Sequence, residues 1–206
     1  MTPWDNFFRE KIKKIANDSK SIIDIGGGLR ISNKKGNRYD KSREWILSLF
    51  SSRGIDYKIL DPVSDYNPDI IGDIHNLPFA DNSQDAIICV AVLEHVENPI
   101  KACEEIYRVL KPGGYCFVYV PFLYYFHAEK CYYKDYWRFT KDSMDVLFKN
   151  FSVVEKQNVR GAFATWIKNS PLGRFKLASK FSEAVDGLFK KTGSNQTSGY
   201  NVFLIK

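Results

Sequence analysis

The sequence predicts an α/β fold in which helices cover both faces of a doubly wound, mostly parallel sheet. Three observations lead there. Residues 21–25 read Ser-Ile-Ile-Asp-Ile and then break into Gly26, Gly27 and Gly28, as a first parallel strand does on reaching a ligand crevice. Ala86-Ile87-Ile88-Cys89-Val90 is apolar on both faces, the pattern of a strand covered from both sides. Stretches with helical spacing separate the apolar runs, so strands and helices alternate and the crossovers are right-handed.

Taken in order, Trp4, Phe7, Phe8, Ile12 and Ile15 recur at helical spacing and predict an amphipathic helix over residues 4–16, with Lys11, Lys13 and Lys14 outward. The first strand follows at 21–25. Residues 29–39, rich in Asn, Lys, Arg and Gly, read as a polar, mobile loop. A helix with Trp45, Ile46, Leu49 and Phe50 precedes Arg53-Gly54. Residues 57–60 form a second strand that stops at Asp61-Pro62, where the proline forces a turn. Residues 69–72 give a short third strand, and Asp85 opens the fourth. Asn98-Pro99 is an N-cap and first-turn pair for a helix with Ile100, Cys103, Ile106, Tyr107 and Leu110 on one face. Lys111-Pro112-Gly113-Gly114 ends that helix.

A fifth strand spans 115–120 and halts at Pro121. Beyond it, aromatic residues crowd 122–139, and Met144, Leu147, Phe148 and Phe151 mark another helix. Strands at 153–159 and 200–205 are expected to pair as a late antiparallel hairpin on the sheet edge. Between them a helix places Phe175, Ala178, Phe181, Val185, Leu188 and Phe189 on one side, read as packing over that edge. The chain reads as one domain over 1–206, with substrate-side insertions near 122–150 and 161–198.

Composition bounds the function. Of 206 residues 44% are hydrophobic, enough for a full core, and a net charge of +6 is mild. It permits an anionic acceptor or membrane surface, although a solvated basic surface is the plainer reading. DNA is not expected as a partner. RNA is disfavoured because no separate basic module or clustered Lys/Arg run is present. Residues 1–14 contain no apolar leader core, and the longest apolar run, 115–126, is too short for a membrane span and contains Pro121. Cys89, Cys103, Cys116 and Cys131 form no Cys-x-x-Cys pair, which argues against a zinc site or a disulfide framework. Cys89 and Cys116 read as core residues. No metal is expected, and the chain reads as a reduced, cytoplasmic protein. Its oligomeric state leaves no mark on the sequence.

The glycine spacing narrows the ligand. A dinucleotide fingerprint needs glycine where Ile31 stands, and no Gly-Lys-Ser or Gly-Lys-Thr follows the strand, so a ligand without phosphates is favoured. Four motifs then stand in order: Asp24-Ile25-Gly26-Gly27-Gly28; Gly72-Asp73-Ile74 with Leu77-Pro78-Phe79; Leu93-Glu94-His95-Val96; and Arg108-Val109-Leu110-Lys111-Pro112-Gly113-Gly114. On these the chain resembles the class I S-adenosylmethionine-dependent methyltransferases, type 11-like group, closely over 20–121 and more loosely beyond.

That resemblance implies a Rossmann-like methyltransferase sheet, S-adenosylmethionine as cofactor and methyl transfer as the activity. It places Asp24, Gly26 and Gly28 in the loop that meets the methionine tail, and Val90 and Ala91 near the sulfonium. Asp61 suits the ribose hydroxyls as a charge-assisted acceptor, Asp73 suits the adenine amino group, and Ile74 covers the ring. His95 joins the cofactor set, although a packed position at a helix start explains it as well. The family usually carries a third glycine where Arg30 stands. Arg30 is expected to pair with the cofactor carboxylate.

Past the fifth strand, His127, Asp135 and Arg138 stand in a stretch that ends Asp-Tyr-Trp-Arg-Phe-Thr. It resembles methyltransferases found with bacterial polysaccharide and lipopolysaccharide assembly. This implies O-methylation of a sugar, a polysaccharide precursor or a related small hydroxyl acceptor. His127 is then the candidate base, with Arg138 and nearby tyrosines holding the acceptor. Equally, Asp135 and Arg138 form an ion pair at three-residue spacing that steadies the next helix. The alternatives are methylation of RNA or another small molecule, and a non-catalytic cofactor-binding scaffold. Arg174, Lys176, Lys180, Lys190 and Lys191 would let their helix rest on an anionic membrane, the less favoured reading of that segment.

Overall fold

The computed structural model describes residues 2–32 and 38–206. Residues 33–37 of the expected 29–39 loop lie outside them. Among the described residues seven strands form one sheet: β1 (Ser21–Ile25), β2 (Asp56–Asp61), β3 (Ile70–Ile71), β4 (Gln84–Val90), β5 (Leu110–Pro121), β6 (Val153–Val159) and β7 (Gly199–Ile205). Their order is β3-β2-β1-β4-β5-β7-β6. The first five are parallel, and β7 runs antiparallel to both β5 and β6. β1 lies between β2 and β4, so the strand order reverses there. The crevice beyond the carboxyl ends of β1 and β4 is the topological switch point, where such sheets take ligands.

Alternation along each strand builds a core on each face. Ile22, Ile88, Phe117 and Phe203 point to one face, under the helices α1 (Pro3–Asp18) and α2 (Glu44–Ser52), whose Ile12, Ile15, Ile46 and Phe50 are buried. Ile23, Ile87, Cys89, Cys116, Val118 and Leu204 point to the other, under α3 (Pro99–Val109) and the short α4 (Ser143–Leu147). Cys89 and Cys116 are core residues as expected. Thr2 and Asp5 close a capping box on α1, and Asn98 accepts the Lys101 N–H at 3.0 Å to cap α3, with Pro99 in its first turn.

The late strands pair as the expected antiparallel hairpin at the sheet edge, β6 outermost and β7 between it and β5. Tyr200, Val202, Phe203 and Leu204 are buried, and a strand apolar on both faces must be covered on both. Three expectations need correction. Lys11 is buried rather than outward, its Nζ lying 2.8 Å from Glu155 Oε2. β5 begins at Leu110, not 115. Lys111–Gly114 continues as strand because Gly113 N–H donates to Lys206 O and Lys206 N–H to Gly114 O, both at 3.0 Å. The third correction concerns the segment before β7.

That segment forms two helices, α5 (Ala162–Asn169) and α6 (Lys176–Leu188), and α6 does not bury its large apolar residues. Its buried positions are Ser182 and Asp186. The Asp186 carboxylate accepts the Phe163 and Ala164 N–H groups, each at 2.9 Å, at the start of α5. Gly161 permits this approach, since a Cβ there would lie 2.4 Å from Asp186 Cγ. The polar contact turns Leu177, Phe181 and Leu188 outward, where they are 81%, 71% and 78% exposed. Among the described residues no helix is long and apolar enough to cross a membrane.

Arg108 fastens α3 to the segment before β4. It donates to Glu105 Oε2 at 2.7 Å, Leu77 O at 3.1 Å, Phe79 O at 2.8 Å and Asp81 Oδ1 at 2.7 Å, while Glu105 Oε2 accepts the Leu77 N–H at 3.0 Å. The Arg108 guanidinium holds the Glu105 carboxyl down to about 2, from an ordinary 4.5. A depressed carboxyl pKa gives stability that is present above 4.5 and lost as pH falls through about 2. Glu105→Gln is therefore expected to cost roughly 1–3 kcal/mol in urea unfolding at neutral pH. The difference from the parent should vanish toward pH 2.

Candidate active site

β1 delivers Asp24 to the base of the glycine loop, fully buried. Its Oδ1 accepts the Gly28 N–H at 3.1 Å; Oδ2 accepts the Leu29 N–H at 3.0 Å and the Tyr57 hydroxyl at 2.7 Å. Burial pushes this carboxyl up to about 7 against the pull of those three donors. Asp24 lies beneath the cavity wall, and its hydrogen bonds shape the loop. Arg43, which sequence reasoning passed over, braces the loop from outside by donating to Gly28 O at 2.9 Å and Leu29 O at 3.2 Å. A polar residue in a surface-helix pattern gave no sign of that role.

Gly26 and Gly27 adopt φ of +75° and +60°, and Arg30 follows at φ +56°. Arg30 is thus left-handed, held by its N–H to Gly27 O at 3.0 Å. A residue with a Cβ costs roughly 1–2 kcal/mol in that conformation. The Arg30 side chain stands exposed at the rim of the cavity.

The cavity is about 800 Å³ and opens at the carboxyl ends of β1, β2 and β4. Gly26, Gly28, Arg30, Asp61, Asp73, Ile74, Val90, Ala91, His95 and His127 all line it. Asp61 is nearly buried, with Oδ1 accepting the Val63 N–H at 2.8 Å, and burial raises its pKa. Asp73 is more exposed, and its Oδ1 accepts the His75 N–H at 2.9 Å. Ala91 takes φ +57° and donates its N–H to Tyr119 O at 3.1 Å, turning the chain out of β4 beneath the cavity.

Opposite the glycine loop, a single turn over Leu93–His95 meets the loop that follows β5. Tyr136 and Trp137 donate their backbone N–H groups to Glu94 O at 2.8 and 3.2 Å, and Trp137 Nε1 donates to Val96 O at 2.9 Å. Arg138 fixes this loop from within. It makes a bidentate pair with Asp135 (2.6 and 2.7 Å) and donates also to Tyr124 O, Tyr125 O and Trp137 O. Five hydrogen bonds engage its five donors. Asp135 Oδ2 in turn accepts the His127 N–H at 2.7 Å, and the guanidinium beside Asp135 holds that carboxyl at about 2. The structure brings His127 to the cavity but neither Asp135 nor Arg138. Of the two readings of that pair, the local ion pair is the one its geometry displays.

His127 faces a group the sequence reading did not weigh. Glu94 is buried, and among the described residues neither of its carboxylate oxygens has a hydrogen-bond partner. Its Oε1 lies 3.7 Å from His127 Nε2 and 3.9 Å from His95 Nε2. The carboxylate raises the His127 pKa. The sequence signal is an acid within the apolar run Val92-Leu93-Glu94-His95-Val96.

Residues 56–118 match the family model described as a methyltransferase domain. The fold superposes on a SAM-dependent methyltransferase from Archaeoglobus fulgidus with a TM-score of 0.58, over 98% of this chain and 94% of that one, at 12% identity. Residues 56–118 thus carry a methyltransferase domain, set in a fold shared with S-adenosylmethionine-dependent methyltransferases. The sheet, its switch point and the glycine loop are those expected of one. Part of the methyltransferase domain is also similar to a demethylmenaquinone methyltransferase of Paenarthrobacter aurescens, 58% identical over 45 residues, covering 22% of this chain and 18% of that enzyme. A longer stretch of 132 residues is 26% identical to a tRNA U34 carboxymethyltransferase of Campylobacter curvus, covering 57% of this chain and 40% of that protein. The chain spans less than a quarter of the length of the curated relatives it matches first.

S-adenosylmethionine is the cofactor that such a domain implies, and the residues present fit it. Asp61 offers carboxylate acceptors at the end of β2, Ile74 offers an apolar face, and the glycine loop offers backbone with no side chain in the way. The loop tolerates little change. A Cβ on Gly28 would lie 2.4 Å from Val90 O. Gly28→Ala is expected to cost roughly 1–3 kcal/mol by overpacking, seen as a lowered Tm together with weakened S-adenosylmethionine binding in calorimetry.

Proposed function

We propose that this chain transfers the methyl group of S-adenosylmethionine to a hydroxyl of a small, sugar-like acceptor. The observation that supports this most is the cavity wall beyond the cofactor cradle. There Tyr124, Tyr132 and Tyr133 present aromatic faces, Arg160 and Lys168 add cations, and His127 stands next to the buried Glu94. Aromatic faces with a few convergent polar groups suit a polar ring compound more than a long apolar chain.

When bound, the cofactor supplies an already activated methyl on a sulfonium for in-line displacement. The chain's own work is orientation, exclusion of water and handling of the acceptor proton. In this reading Asp61 takes the ribose hydroxyls, Asp73 and Ile74 take the adenine, and Arg30 takes the carboxylate of the methionine tail. Val90 and Ala91 form the floor near the reacting methyl. The hydroxyl proton leaves on the side of His127 and Glu94. Asp135 and Arg138 position His127 by holding its own N–H and the Tyr125 carbonyl two residues before it.

A second reading, methylation of tRNA, draws on the 132-residue likeness to the tRNA-modifying relative. A salt-sensitive shift of tRNA on the full chain would favour it over the first. The direct test of the main reading is transfer of labelled methyl from S-adenosylmethionine to a panel of sugars and glycan precursors. His127→Ala is expected to lower turnover by about 10²-fold or more while leaving cofactor affinity unchanged. Asp61→Ala is expected to weaken cofactor binding about tenfold or more, since it removes a charge-assisted acceptor. Arg30→Ala with unaltered calorimetric affinity would remove Arg30 from the cofactor set.

A further inference from the structure

We propose that Glu94, His95 and His127 form a binding site for a first-row divalent cation of the Zn²⁺ type, open on one side to the acceptor cavity. Their ligand atoms all lie within 4.8 Å of one another. The other nitrogen of each ring sets its orientation. His95 Nδ1 lies 2.7 Å from Lys134 O, and His127 Nδ1 lies 3.1 Å from Tyr125 O and 3.3 Å from Asp135 Oδ2. A nitrogen facing a carbonyl must carry the proton, so in each neutral ring Nε2 is left as a lone pair. Both Nε2 atoms face Glu94 Oε1, at 3.9 and 3.7 Å.

Three electron-rich atoms thus converge, one on a carboxylate that is 1% exposed and lacks hydrogen-bond partners among the described residues. A buried charge in that state is expensive unless something positive sits beside it. Ligand bonds of about 2.0–2.2 Å at tetrahedral angles hold ligand atoms roughly 3.3–3.6 Å apart, so both rings must close toward Glu94 to complete the set. Carbonyl and carboxylate partners behind ligating histidines are what metal sites use to fix ring and tautomer. Two imidazoles and one carboxylate suit borderline transition cations rather than Mg²⁺. Three protein ligands also leave a coordination position free, the hallmark of a catalytic site over a structural one.

All three residues line the cavity, so the free position faces it. What the cation does there rests on the proposed hydroxyl acceptor. A coordinated hydroxyl ionises more readily and releases its proton to solvent, and His127 then serves as a ligand instead of a free base. No spacing pattern in the sequence revealed the set, because Glu94 and His95 follow β4 whereas His127 follows β5.

The test begins with the full chain stripped by chelator and titrated with Zn²⁺ by calorimetry and with Co²⁺ by visible absorption. One bound cation per chain is expected, with a rise in Tm on adding Zn²⁺. Loss of outer-shell partners alone typically costs 10–100-fold in metal affinity, so Glu94→Gln and His127→Ala should each weaken binding by at least about 100-fold. Absence of Co²⁺ absorption and of a Zn²⁺-induced Tm rise in the parent chain overturns the proposal, and needs no variant to fold. Unchanged affinity in a folded Glu94→Gln overturns it as well. S-adenosylmethionine binding, measured separately, keeps failure of this site distinct from failure of the methyltransferase reading.

A different observation carries a second inference. We infer that the outer face of α6 docks on an anionic lipid bilayer. Leu177, Phe181, Ala184 and Leu188 recur at i, i+4, i+7 and i+11 on the side away from Ser182 and Asp186, and Phe175 just before the helix and Trp166 on α5 are exposed as well. Arg174, Lys176, Lys180, Lys190 and Lys191 flank this apolar stripe along the chain, whereas the acids of 161–193 are Glu183 and the buried Asp186. An apolar stripe with a basic rim matches an interface of acyl chains under anionic headgroups, and a second copy of the same face would set cation against cation. The full chain should co-sediment with vesicles of phosphatidylcholine and phosphatidylglycerol, release at high salt, and stay free of pure phosphatidylcholine. Leu177→Ser with Leu188→Ser should lower the bound fraction several-fold. No binding to the mixed vesicles, or a dimer in light scattering that the same double variant dissolves, overturns the inference.

Discussion

The buried carboxylate of Asp24 is the constraint on which the rest of the site depends. It stands at the end of a strand flanked on both sides, so no water can relieve it. Its oxygens must find donors, and they find them in the loop backbone and in Tyr57 on the adjacent strand. That requirement folds the loop back over β1, turns Gly26 and Gly27 into the left-handed region and leaves their backbone bare to the cavity. Arg43 completes the arrangement by taking the carbonyls that the turn leaves facing outward. The Asp24 side chain shapes the loop whose backbone faces the cavity.

A comparable economy governs the opposite wall. Arg138 makes its hydrogen bonds inside one loop, and that loop lies on the turn carrying Glu94 and His95. His127 therefore reaches the cavity on a loop tied by these hydrogen bonds, although it belongs to neither strand nor helix. The two walls share little. One is built from β1 and β2, the other from the ends of β4 and β5, so the switch point of the sheet sets the distance between them.

Much of this was legible in the sequence. The parallel strands announced themselves because apolar runs closed by Gly, Pro or Asp have few other uses, and the glycine loop lay where its residues placed it. The motif residues Gly26, Gly28, Asp61, Asp73 and Ile74 do meet at one cavity. Three things were not legible. The place of β7 inside the sheet depends on a pairing partner, which no local pattern specifies. The outward face of α6 follows from Asp186 capping another helix, a polar contact that outweighs an apolar stripe. The convergence of Glu94 with two histidines joins loops from different strands, and composition argues only about neighbours in the chain.

The position of β7 has a consequence for how the molecule comes into being. This strand follows every other one in the chain, yet it lies between β5 and β6. Until it arrives, β5 offers an open edge with Phe117 and Val118 uncovered on one side, and β6 has nothing to pair with. During synthesis the ligand-binding half can assemble early, but its sheet stays unsealed and prone to foreign pairing until the last strand slots in. Closure is a long-range event, so folding should be slow for a domain of this size. Removal of β7 would expose two edges at once, a greater injury than trimming a surface strand.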